Sequence, residues 1–202
     1  MNKTPNLILA SGSQARRNML MAVGLSFDTI PADIDEQSLM NHFLDQNSQI
    51  TEITEELACA KALHVSEQHL DSFVIGSDQT LEFEGQLLSK ACDENEAREK
   101  LCMLRGKTHL LHSSVCVMHK GRKVFLYTDT ARLTMHDFDD QFLDKYMTKN
   151  ADVLVSCVGS YDIEGLGAWV FEDVQGDHYT VMGMPLLPLL SFLREKGKIF
   201  ND

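Results

Sequence analysis

The chain has 202 residues and a formal net charge of −12 at pH 7, with 44% hydrophobic and 24% charged residues. This length allows a sizeable core, and the composition is that of an ordinary globular protein. The acidic balance argues against general binding to nucleic acid polymers or anionic membrane surfaces, because such partners require a basic footprint. A polyanionic ligand would therefore have to be met by a local cluster of Arg and Lys, or by a metal ion.

Cysteine usage and the N-terminal residues favour a cytoplasmic location. The five cysteines are scattered and include no CxxC pair, which favours free thiols in a reducing compartment over a disulfide framework. Residues 1–6 lead towards a strand without the long apolar segment of a secretory signal, and no stretch approaches membrane-spanning length. We therefore expect a cytoplasmic protein without a membrane partner.

The first predicted element is a buried strand at 7–10 that breaks into a turn of small residues. The turn contains Ser11 and Ser13, and a helical pattern carrying Arg16 and Arg17 follows. Backbone N–H groups, two hydroxyls and two guanidinium groups would converge on one helix N-terminus, which is an anion-binding arrangement. The spacing is not that of the Walker motif. A capped turn, with Ser13 as N-cap and solvated arginines, is therefore the alternative.

The next predicted elements are a short strand at 27–32 and a helix that carries Lys61. Between them, residues 37–49 are polar and poorly periodic, which predicts a flexible segment. Thr51 or Thr54 is the expected N-cap of the helix. Lys61 falls near the apolar face of this helix, where a lysine is unusual.

A continuous apolar strand at 73–76 is typical of a sheet that is buried on both faces. The strand is predicted to end at Asp78, and polar residues at strand ends face the ligand crevice in open α/β sheets. With Asp35 and Glu36, Asp78 could supply oxygen ligands for Mg²⁺, which usually takes one or two protein carboxylates together with water and substrate phosphates. The alternative is that Asp78 caps a turn and that the other two carboxylates form a solvated acidic loop.

The rest of the chain alternates hairpins with helices. In order, the patterns predict a hairpin around Glu84-Gly85, a helix capped by Asp93 with Glu96, a hairpin of residues 109–118 and 123–133, a helix beginning at Asp137 or Asp139, a strand at 168–171 and a helix at 188–196. This alternation predicts an α/β fold with a mixed sheet. Because no obvious linker interrupts the pattern, we expect residues 1–202 to form a single domain.

Two lysines complete the candidate site. Lys90 follows the first hairpin, and Lys61 lies on a half-buried helix face. Together with Arg16 and a helix N-terminus, they would meet the charge of a triphosphate bound beside a metal-bearing carboxylate. The alternative is that both lysines are ordinary solvated side chains.

Other catalytic chemistries find little support in the sequence. The eight histidines show no metal-ligand spacing, so zinc is not expected, and His109 and His112 are interpreted as structural. Ser113 and Ser114 lack the GxSxG elbow of a serine hydrolase. Trp169, the single tryptophan, is expected in the core.

Several motifs in this order resemble those of the Maf-type nucleoside triphosphate pyrophosphatase family, and they span nearly the whole chain. They are LILASGSQARRNML near the start, DIDE at 33–36, LACAKA at 57–62, VIGSDQ at 74–79, LLSK at 87–90 followed by DENEA, and YDIEGLG and GDHYTVMGMPLLPL near the end. The resemblance is specific because several motifs occur in register, whereas a single motif would be weak.

The resemblance implies a cytoplasmic house-cleaning enzyme, dependent on a divalent cation such as Mg²⁺ or Mn²⁺, that cleaves a nucleoside triphosphate between its α- and β-phosphates. It also implies an elongated mixed sheet flanked by helices, with two lobes around a deep cleft, often in a homodimer. By position, the resemblance implies that Asp78 is the catalytic acidic residue that activates water and that Glu36 joins it at the metal. The implied phosphate-binding residues are Ser11, Ser13, Arg16, Lys61 and Lys90.

Some positions depart from the family's usual pattern. Gln14-Ala15 replaces the usual Pro-Arg, Gln79 replaces the Thr after the catalytic Asp, Ala91 replaces a Pro, and Glu164 stands where pyrimidine-selective members carry Gln. Gln79 with Glu164 resembles the branch acting on 7-methyl-GTP. A carboxylate only accepts hydrogen bonds, so Glu164 suits the N1–H and NH₂ donors of guanine, and its charge favours an N7-methylated ring. We expect Ala15, Gln79 and Glu164 to set substrate preference.

Three other functions remain open from the sequence. The enzyme could act on UTP or dTTP, which would change the base but not the chemistry. The protein could instead be a nucleotide-binding regulator of cell division or septum formation, a role also linked to this family, which needs the phosphate contacts but no activated water. It could also be an α/β domain that binds another phosphorylated metabolite.

Overall fold

The protein has a mixed α/β fold, described for residues 7–198 by a computed structural model. The strands are β1 (Leu7–Leu9), β2 (Asp28–Thr29), β3 (Phe73–Phe83), β4 (Gln86–Leu88), β5 (Thr108–His119), β6 (Arg122–Met135) and β7 (Phe171–Gln175). The helices are α1 (Gln14–Ala22), α2 (Glu36–Asp45), α3 (Ile50–Ser66), α4 (Glu94–Leu104), α5 (Asp140–Lys149), α6 (Ala151–Leu154), α7 (His178–Val181) and α8 (Leu186–Glu195), with a 3₁₀ helix at Leu166–Val170. The predicted fold class is confirmed.

All of these strands belong to one mixed sheet, in the order β2-β1-β3-β5-β6-β7, with β4 paired to β3. Strand β1 runs parallel to β2 and β3, whereas the β3–β4 and β6–β7 pairs are antiparallel. Parallel neighbours require crossover connections, and antiparallel neighbours allow short hairpins. The mixed sheet predicted from alternating helices and hairpins is therefore confirmed.

The described residues divide into two compact units. The first unit comprises residues 7–79, 113–129 and 183–198, and the second comprises residues 80–112 and 130–182. Strands β3, β5 and β6 each contribute residues to both units. Each unit therefore contains segments that are far apart in the sequence.

The core of the first unit packs α3 directly against β3. Ala58 and Ala62 from the helix and Val74 from the strand are fully buried in one cluster. A Cβ atom built on Gly76 would overlap the carbonyl oxygen of Ala58 and the backbone of Ala62, so only glycine allows this approach. The close contact fixes where the polar side chains of the helix and the strand meet.

The second unit has its own apolar core, which includes Leu81, Leu101, Leu111, Leu133 and Leu143. A buried aromatic group lies within this unit. His109 Nε2 and the Tyr161 hydroxyl are 2.6 Å apart, and the Tyr161 ring packs edge-on against Phe171. His109 is therefore a buried core residue, which supports its interpretation as structural.

The flexible segment predicted at 37–49 is wrong, because most of it forms helix α2. Asp35 caps this helix, accepting hydrogen bonds from the backbone N–H of Ser38 at 3.0 Å and from its hydroxyl at 2.7 Å. The Gln37 and Asn41 side chains pair one turn apart at 3.0 Å. Helix α2 has no buried residue. Leu39, Met40 and Phe43 are half-buried at a helical spacing, so the apolar stripe is present but short, and the polar residues around it concealed it.

The predicted end of a strand at Asp78 is also wrong. Strand β3 continues to Phe83, so Asp78 lies near its middle. The continuation pairs with β4, placing Leu81 opposite Leu88 around the turn at Glu84-Gly85. This hairpin was predicted, but the polar residues before it suggested a break that does not occur.

Three further predictions are wrong: the N-cap of α3, the start of the strand at 168 and the burial of Trp169. Gln49, rather than Thr51 or Thr54, is the N-cap of α3, and it forms a reciprocal capping box with Glu52. Residues 166–170 form a 3₁₀ helix where the sequence predicted a strand starting at 168. Trp169 in this helix is 71% exposed, so its predicted place in the core is wrong.

Several local predictions are confirmed by their geometry. Asp93 caps α4 by accepting from the N–H of Glu96 at 2.9 Å, and Asp139 caps α5. The turn of the longer hairpin has left-handed φ values at Lys120 and Gly121. All five cysteines are free thiols, as predicted.

None of the helices within residues 7–198 is both long and apolar enough to cross a membrane. The expectation drawn from residues 1–6 lies outside the described residues.

Candidate active site

The N-terminus of α1 brings two of the predicted phosphate-binding hydroxyls together. Ser13 is the N-cap, as in the alternative interpretation of this turn, and its Oγ accepts from the N–H of Arg16 at 3.5 Å. The N–H of Ser13 in turn donates to Ser11 Oγ at 3.2 Å. Ala15 is half-buried in the first turn of the same helix. The partial positive charge of this helix end favours an anion beside the two serines.

Arg16 is buried beneath this turn and holds two distant backbone carbonyls. Its Nε donates to Gly183 O at 2.9 Å, and its Nη1 donates to Ser77 O at 2.7 Å and to Ser11 Oγ at 3.3 Å. The Nη2 edge of the guanidinium carries its remaining donors. Arg17 is exposed, so the predicted convergence of two guanidinium groups is limited to Arg16.

Lys61 joins two carboxylates that come from different elements. Its Nζ lies 2.5 Å from Asp78 Oδ1 and 2.8 Å from Glu36 Oε2. Lys61 and Asp78 are 8% and 6% exposed, whereas the Glu36 side chain is 48% exposed. Three residues predicted for the site therefore form one cluster, with its open side at Glu36.

Local structure explains this cluster of Lys61, Asp78 and Glu36. The contact between α3 and β3 at Gly76 places Lys61 beside Asp78, two residues further along the strand. Glu36 is the first residue of α2, so its position depends on the cap at Asp35. Hydrogen bonds from Ser38 lower the pKa of Asp35. Asp35 thus serves as a helix cap.

The charges of the cluster extend to Arg16. Burial lowers the pKa of Arg16, and the negative charges of Asp78 and Glu36 act in the opposite direction. An arginine nevertheless stays charged at neutral pH. Two cations and two anions therefore balance here. A bound polyphosphate would add negative charge that these side chains alone do not neutralise.

Sequence reasoning missed two residues that support this arrangement. Ser77 Oγ lies 2.8 Å from Ser114 O and 3.0 Å from Gly183 O, so its one hydroxyl proton is shared between these two carbonyls, and Arg16 Nε donates to the same Gly183 O. Gly183 has a φ of +102°, which favours glycine. The Gly-Met-Pro run was visible in the sequence, but its long-range partner was not.

Gln79 lies next to this support. Its Nε2 donates to Ser113 Oγ at 3.1 Å. A Cβ atom built on Gly183 would lie 3.6 Å from both Gln79 Oε1 and Arg16 Nη2, so the three residues are close neighbours. Gln79, one of the three residues predicted to set substrate preference, therefore adjoins the buried Arg16.

Lys90 and Glu164 lie in the second unit. Lys90 is exposed in the loop after β4, and Glu164 is exposed in the loop before the 3₁₀ helix. This second loop is folded tightly on Asp162, whose Oδ1 accepts from the N–H of Gly167 at 3.2 Å. A side chain at Gly165 or Gly167 would overlap Asp162. The glycines thus fix the loop that presents Glu164.

The donor set fits a divalent cation that arrives with a phosphate ligand. Within residues 7–198, no group of three or more His, Cys, Asp and Glu side chains is placed to hold a metal ion. Two carboxylates, from Glu36 and Asp78, do converge on Lys61 Nζ. Mg²⁺ commonly takes one or two protein carboxylates and fills its shell with water and substrate phosphates.

Comparison with known proteins agrees with these motifs. A family model described as "Maf-like protein" matches residues 6–196. The chain is 42% identical to a nucleoside triphosphate pyrophosphatase of Nitrobacter hamburgensis, covering 95% of this chain and 94% of the relative. A protein of the same name from Paramagnetospirillum magneticum is 40% identical, with coverage of 95% and 99%. A 7-methyl-GTP pyrophosphatase of Brucella abortus is 38% identical, with coverage of 96% and 97%.

Proposed function

The chain belongs to the Maf-like protein family, and we infer that it is a nucleoside triphosphate pyrophosphatase. In the reaction we propose, water adds to the α-phosphorus, the bond to the bridging oxygen breaks, and pyrophosphate leaves with the bonding electrons. The products are a nucleoside monophosphate and pyrophosphate. The observation that carries this proposal is the cluster in which Lys61 joins Asp78 to Glu36.

We assign the proton transfer to Asp78. Its carboxylate is buried and fixed by Lys61, so it can hold a water molecule in one orientation and accept its proton as the oxygen attacks phosphorus. Positioning and charge stabilisation, rather than covalent chemistry, dominate phosphoryl transfer. A fixed buried carboxylate is well suited to this task.

The phosphates would be bound by the N-terminus of α1 and by the cations around it. Ser11, Ser13 and the Nη2 edge of Arg16 offer donors, and Lys61 offers a positive charge beside the reacting group. Lys90 is proposed as a further phosphate ligand from the second unit. Arg16 has a second task, because its other donors hold the backbone at Ser77 and Gly183.

A divalent cation would be held by Glu36 and Asp78. When bound, it neutralises phosphate charge and steadies the leaving pyrophosphate. The balance of two cations and two anions in the apo cluster supports this requirement, since the protein alone supplies no excess positive charge there. Lys61 keeps the two carboxylates together before the nucleotide arrives.

We propose 7-methyl-GTP, or a closely similar guanine nucleotide, as the substrate. The exposed carboxylate of Glu164 can accept from both the N1–H and the NH₂ group of guanine, and its charge suits a methylated, cationic ring. Gln79 is proposed to contribute to the same preference, and Ala15 leaves room in the first turn of α1. The Brucella abortus relative of this name supports the proposal.

The direct test is pyrophosphate release from a panel of 7-methyl-GTP, GTP, UTP, CTP, dTTP and ATP, with Mg²⁺ or Mn²⁺ and with excess chelator. We expect the highest kcat/KM for 7-methyl-GTP and no release in chelator. Preference for UTP or dTTP would retain the enzyme and refute the base assignment. Absence of release from every nucleotide would refute the proposed function.

A further inference from the structure

Helix α4 carries a lysine that is buried in the second unit. Lys100 is 7% exposed. Its Nζ donates one hydrogen bond to the backbone carbonyl of Val158 at 2.9 Å and another to the carbonyl of Ser89. Both acceptors are neutral, so this ammonium is buried without a carboxylate in contact. Its hydrogen bonds join two segments that are 69 positions apart in the sequence.

These two segments carry the residues that we assign to the substrate in the second unit. Ser89 directly precedes Lys90, and Val158 directly precedes the loop of residues 159–167 that contains Glu164. One side chain therefore holds the backbone at the base of both substrate-binding loops.

The electrostatics of Cys157 agree with the proximity of the two segments. Burial, the main cause, raises the pKa of the Cys157 thiol, and the charge of Asp162 acts in the same direction. The positive charge of Lys90 acts in the opposite direction. Lys90 therefore lies within electrostatic range of the residue that precedes Val158.

We propose that Lys100 is a positioning residue, which fixes the loop presenting Lys90 against the loop presenting Glu164. This proposal rests on the proposed function, because it assumes that these two side chains bind the phosphates and the base. Lys100 itself touches neither the substrate nor the reacting atoms. It sets the distance between a phosphate ligand and a base ligand in the second unit.

The chemistry of Lys100 makes its effect dependent on pH. An apolar side chain would fill the same volume without the cost of burying a charge, so the distinctive contribution of the ammonium is its pair of charge-assisted hydrogen bonds. Burial lowers the pKa of Lys100 to about 8, while Glu96 and Cys92 act in the opposite direction. A lowered pKa means that the closed arrangement, in which Lys100 holds both loops, favours the neutral amine, which keeps two N–H donors for Ser89 and Val158. As the pH rises through this value, the cost of burying a charge is removed and the closed arrangement gains stability.

The first measurement is the KM for the nucleotide, from pH 7 to pH 9, in the wild type and in Lys100→Met. Because the two loops bind substrate and transition state alike, we expect the variant to raise KM about tenfold at pH 7 with a smaller change in kcat. The wild-type KM should not rise towards that of the variant between pH 7 and pH 9, because removal of the buried charge stabilises the closed arrangement, so the ratio of variant to wild type should not shrink. Lys145→Met, which removes an exposed lysine of the same unit, should leave KM unchanged.

The second measurement, hydrogen–deuterium exchange, does not depend on catalysis. We expect Lys100→Met to accelerate exchange in both segments, residues 87–92 and 155–165. Unchanged exchange in either segment, an unchanged KM in Lys100→Met, or a KM ratio that shrinks as the pH rises would overturn the proposal. If the wild type releases no pyrophosphate, the proposed function fails, and the role of Lys100 is then decided by exchange alone. If the variant does not fold, exchange in the wild type decides it: protection of the two segments that falls as the pH rises through about 8, after correction for the intrinsic exchange rate, would overturn the proposal.

Discussion

The two units satisfy their buried polar groups in different ways. In the first unit, Lys61 meets two carboxylates, and the charges of those carboxylates reach Arg16. In the second unit, Lys100 meets only backbone carbonyls and His109 meets a tyrosine hydroxyl. Opposite charges therefore offset the burial of Lys61 and Arg16, whereas Lys100 and His109 have neutral partners. The second unit also holds a buried histidine, His112, whose Nε2 lies 2.8 Å from a carboxylate oxygen of Glu82.

The difference has consequences for titration. With neutral partners, burial lowers the pKa of Lys100 to about 8 and that of His109 to about 4. Such groups contribute to structure at neutral pH and make it sensitive to pH. In the first unit, the paired opposite charges offset the burial of each other. This contrast fits the proposed function, in which the reacting groups belong to the first unit and Lys90 and Glu164 of the second contact the substrate.

Removing the ammonium of the first unit should have the largest effect. Lys61→Met leaves Asp78 and Glu36 without their shared cation, so the carboxylates repel each other and the reacting phosphate loses a positive neighbour. We expect kcat to fall about a thousandfold in the pyrophosphate-release assay. Lys123→Met, an exposed lysine of the same unit, is the matched control. A fall of less than about threefold would contradict a catalytic role for the cluster.

Acid should selectively weaken the second unit through His109. Its pKa is depressed from 6.5 to about 4 because burial disfavours the charged ring. The unfolded chain therefore binds the proton first, and stability is lost as the pH falls from about 6.5 to 4. The loss amounts to about 3 kcal/mol. Denaturant unfolding of the wild type and of His109→Phe, measured across this range, should show a shallower pH dependence in the variant.

The same unfolding experiment also has an outcome that would contradict this prediction. Parallel pH curves for the wild type and His109→Phe would show that His109 is not held neutral by burial. They would also remove one basis for the contrast between the two units.

Packing at Gly76 tests how the first unit places its charges. Gly76→Ala introduces a Cβ atom that overlaps the carbonyl of Ala58 and the backbone of Ala62. We expect a loss of about 1–3 kcal/mol in the free energy of unfolding, together with lower activity, because α3 must move away from β3. Gly12→Ala, whose Cβ would meet only Pro31 at 3.9 Å, should leave stability nearly unchanged. Equal stability of both variants would refute the close approach.

Base selectivity should respond to a single atom in the second unit. Glu164→Gln replaces an acceptor-only group by an amide, which can pair with the N3–H and a carbonyl of uracil or thymine. We expect the ratio of kcat/KM for 7-methyl-GTP to that for UTP to fall about tenfold. Glu172→Gln, an exposed position on β7, is the control. An unchanged ratio would show that Glu164 does not contact the base.

Sequence reasoning succeeded where local chemistry determines structure. Asp93 was predicted as an N-cap, Asp139 was one of two candidates, and Ser13 was the N-cap in the alternative interpretation of its turn. In all three, the side chain bonds the backbone within three residues. The hairpin at Glu84-Gly85 follows from its turn residues. Lys61 was marked by its place on an apolar helix face, and the structure pairs it with Asp78 and Glu36.

The predictions that were wrong, the strand end at Asp78 and the flexible segment at 37–49, have physical reasons. Ser77 and Gln79 suggested the end of a strand, but distant partners satisfy their side chains within it, at Ser114, Gly183 and Ser113. Helix α2 was missed although Leu39, Met40 and Phe43 follow a helical spacing, because polar residues make up most of the segment and none of its side chains is fully buried. The long-range hydrogen bonds of Ser77 and Gln79 are not encoded in a local sequence pattern.

The most direct test of the account is Asp78→Asn, compared with Asp71→Asn at an exposed position of the same unit. Pyrophosphate release and nucleotide affinity would be measured on the same preparations. The account predicts that release in Asp78→Asn falls about a thousandfold, while the affinity for the nucleotide is largely retained, and that Asp71→Asn matches the wild type. Release by Asp78→Asn at the wild-type rate would contradict the assignment of proton transfer to Asp78.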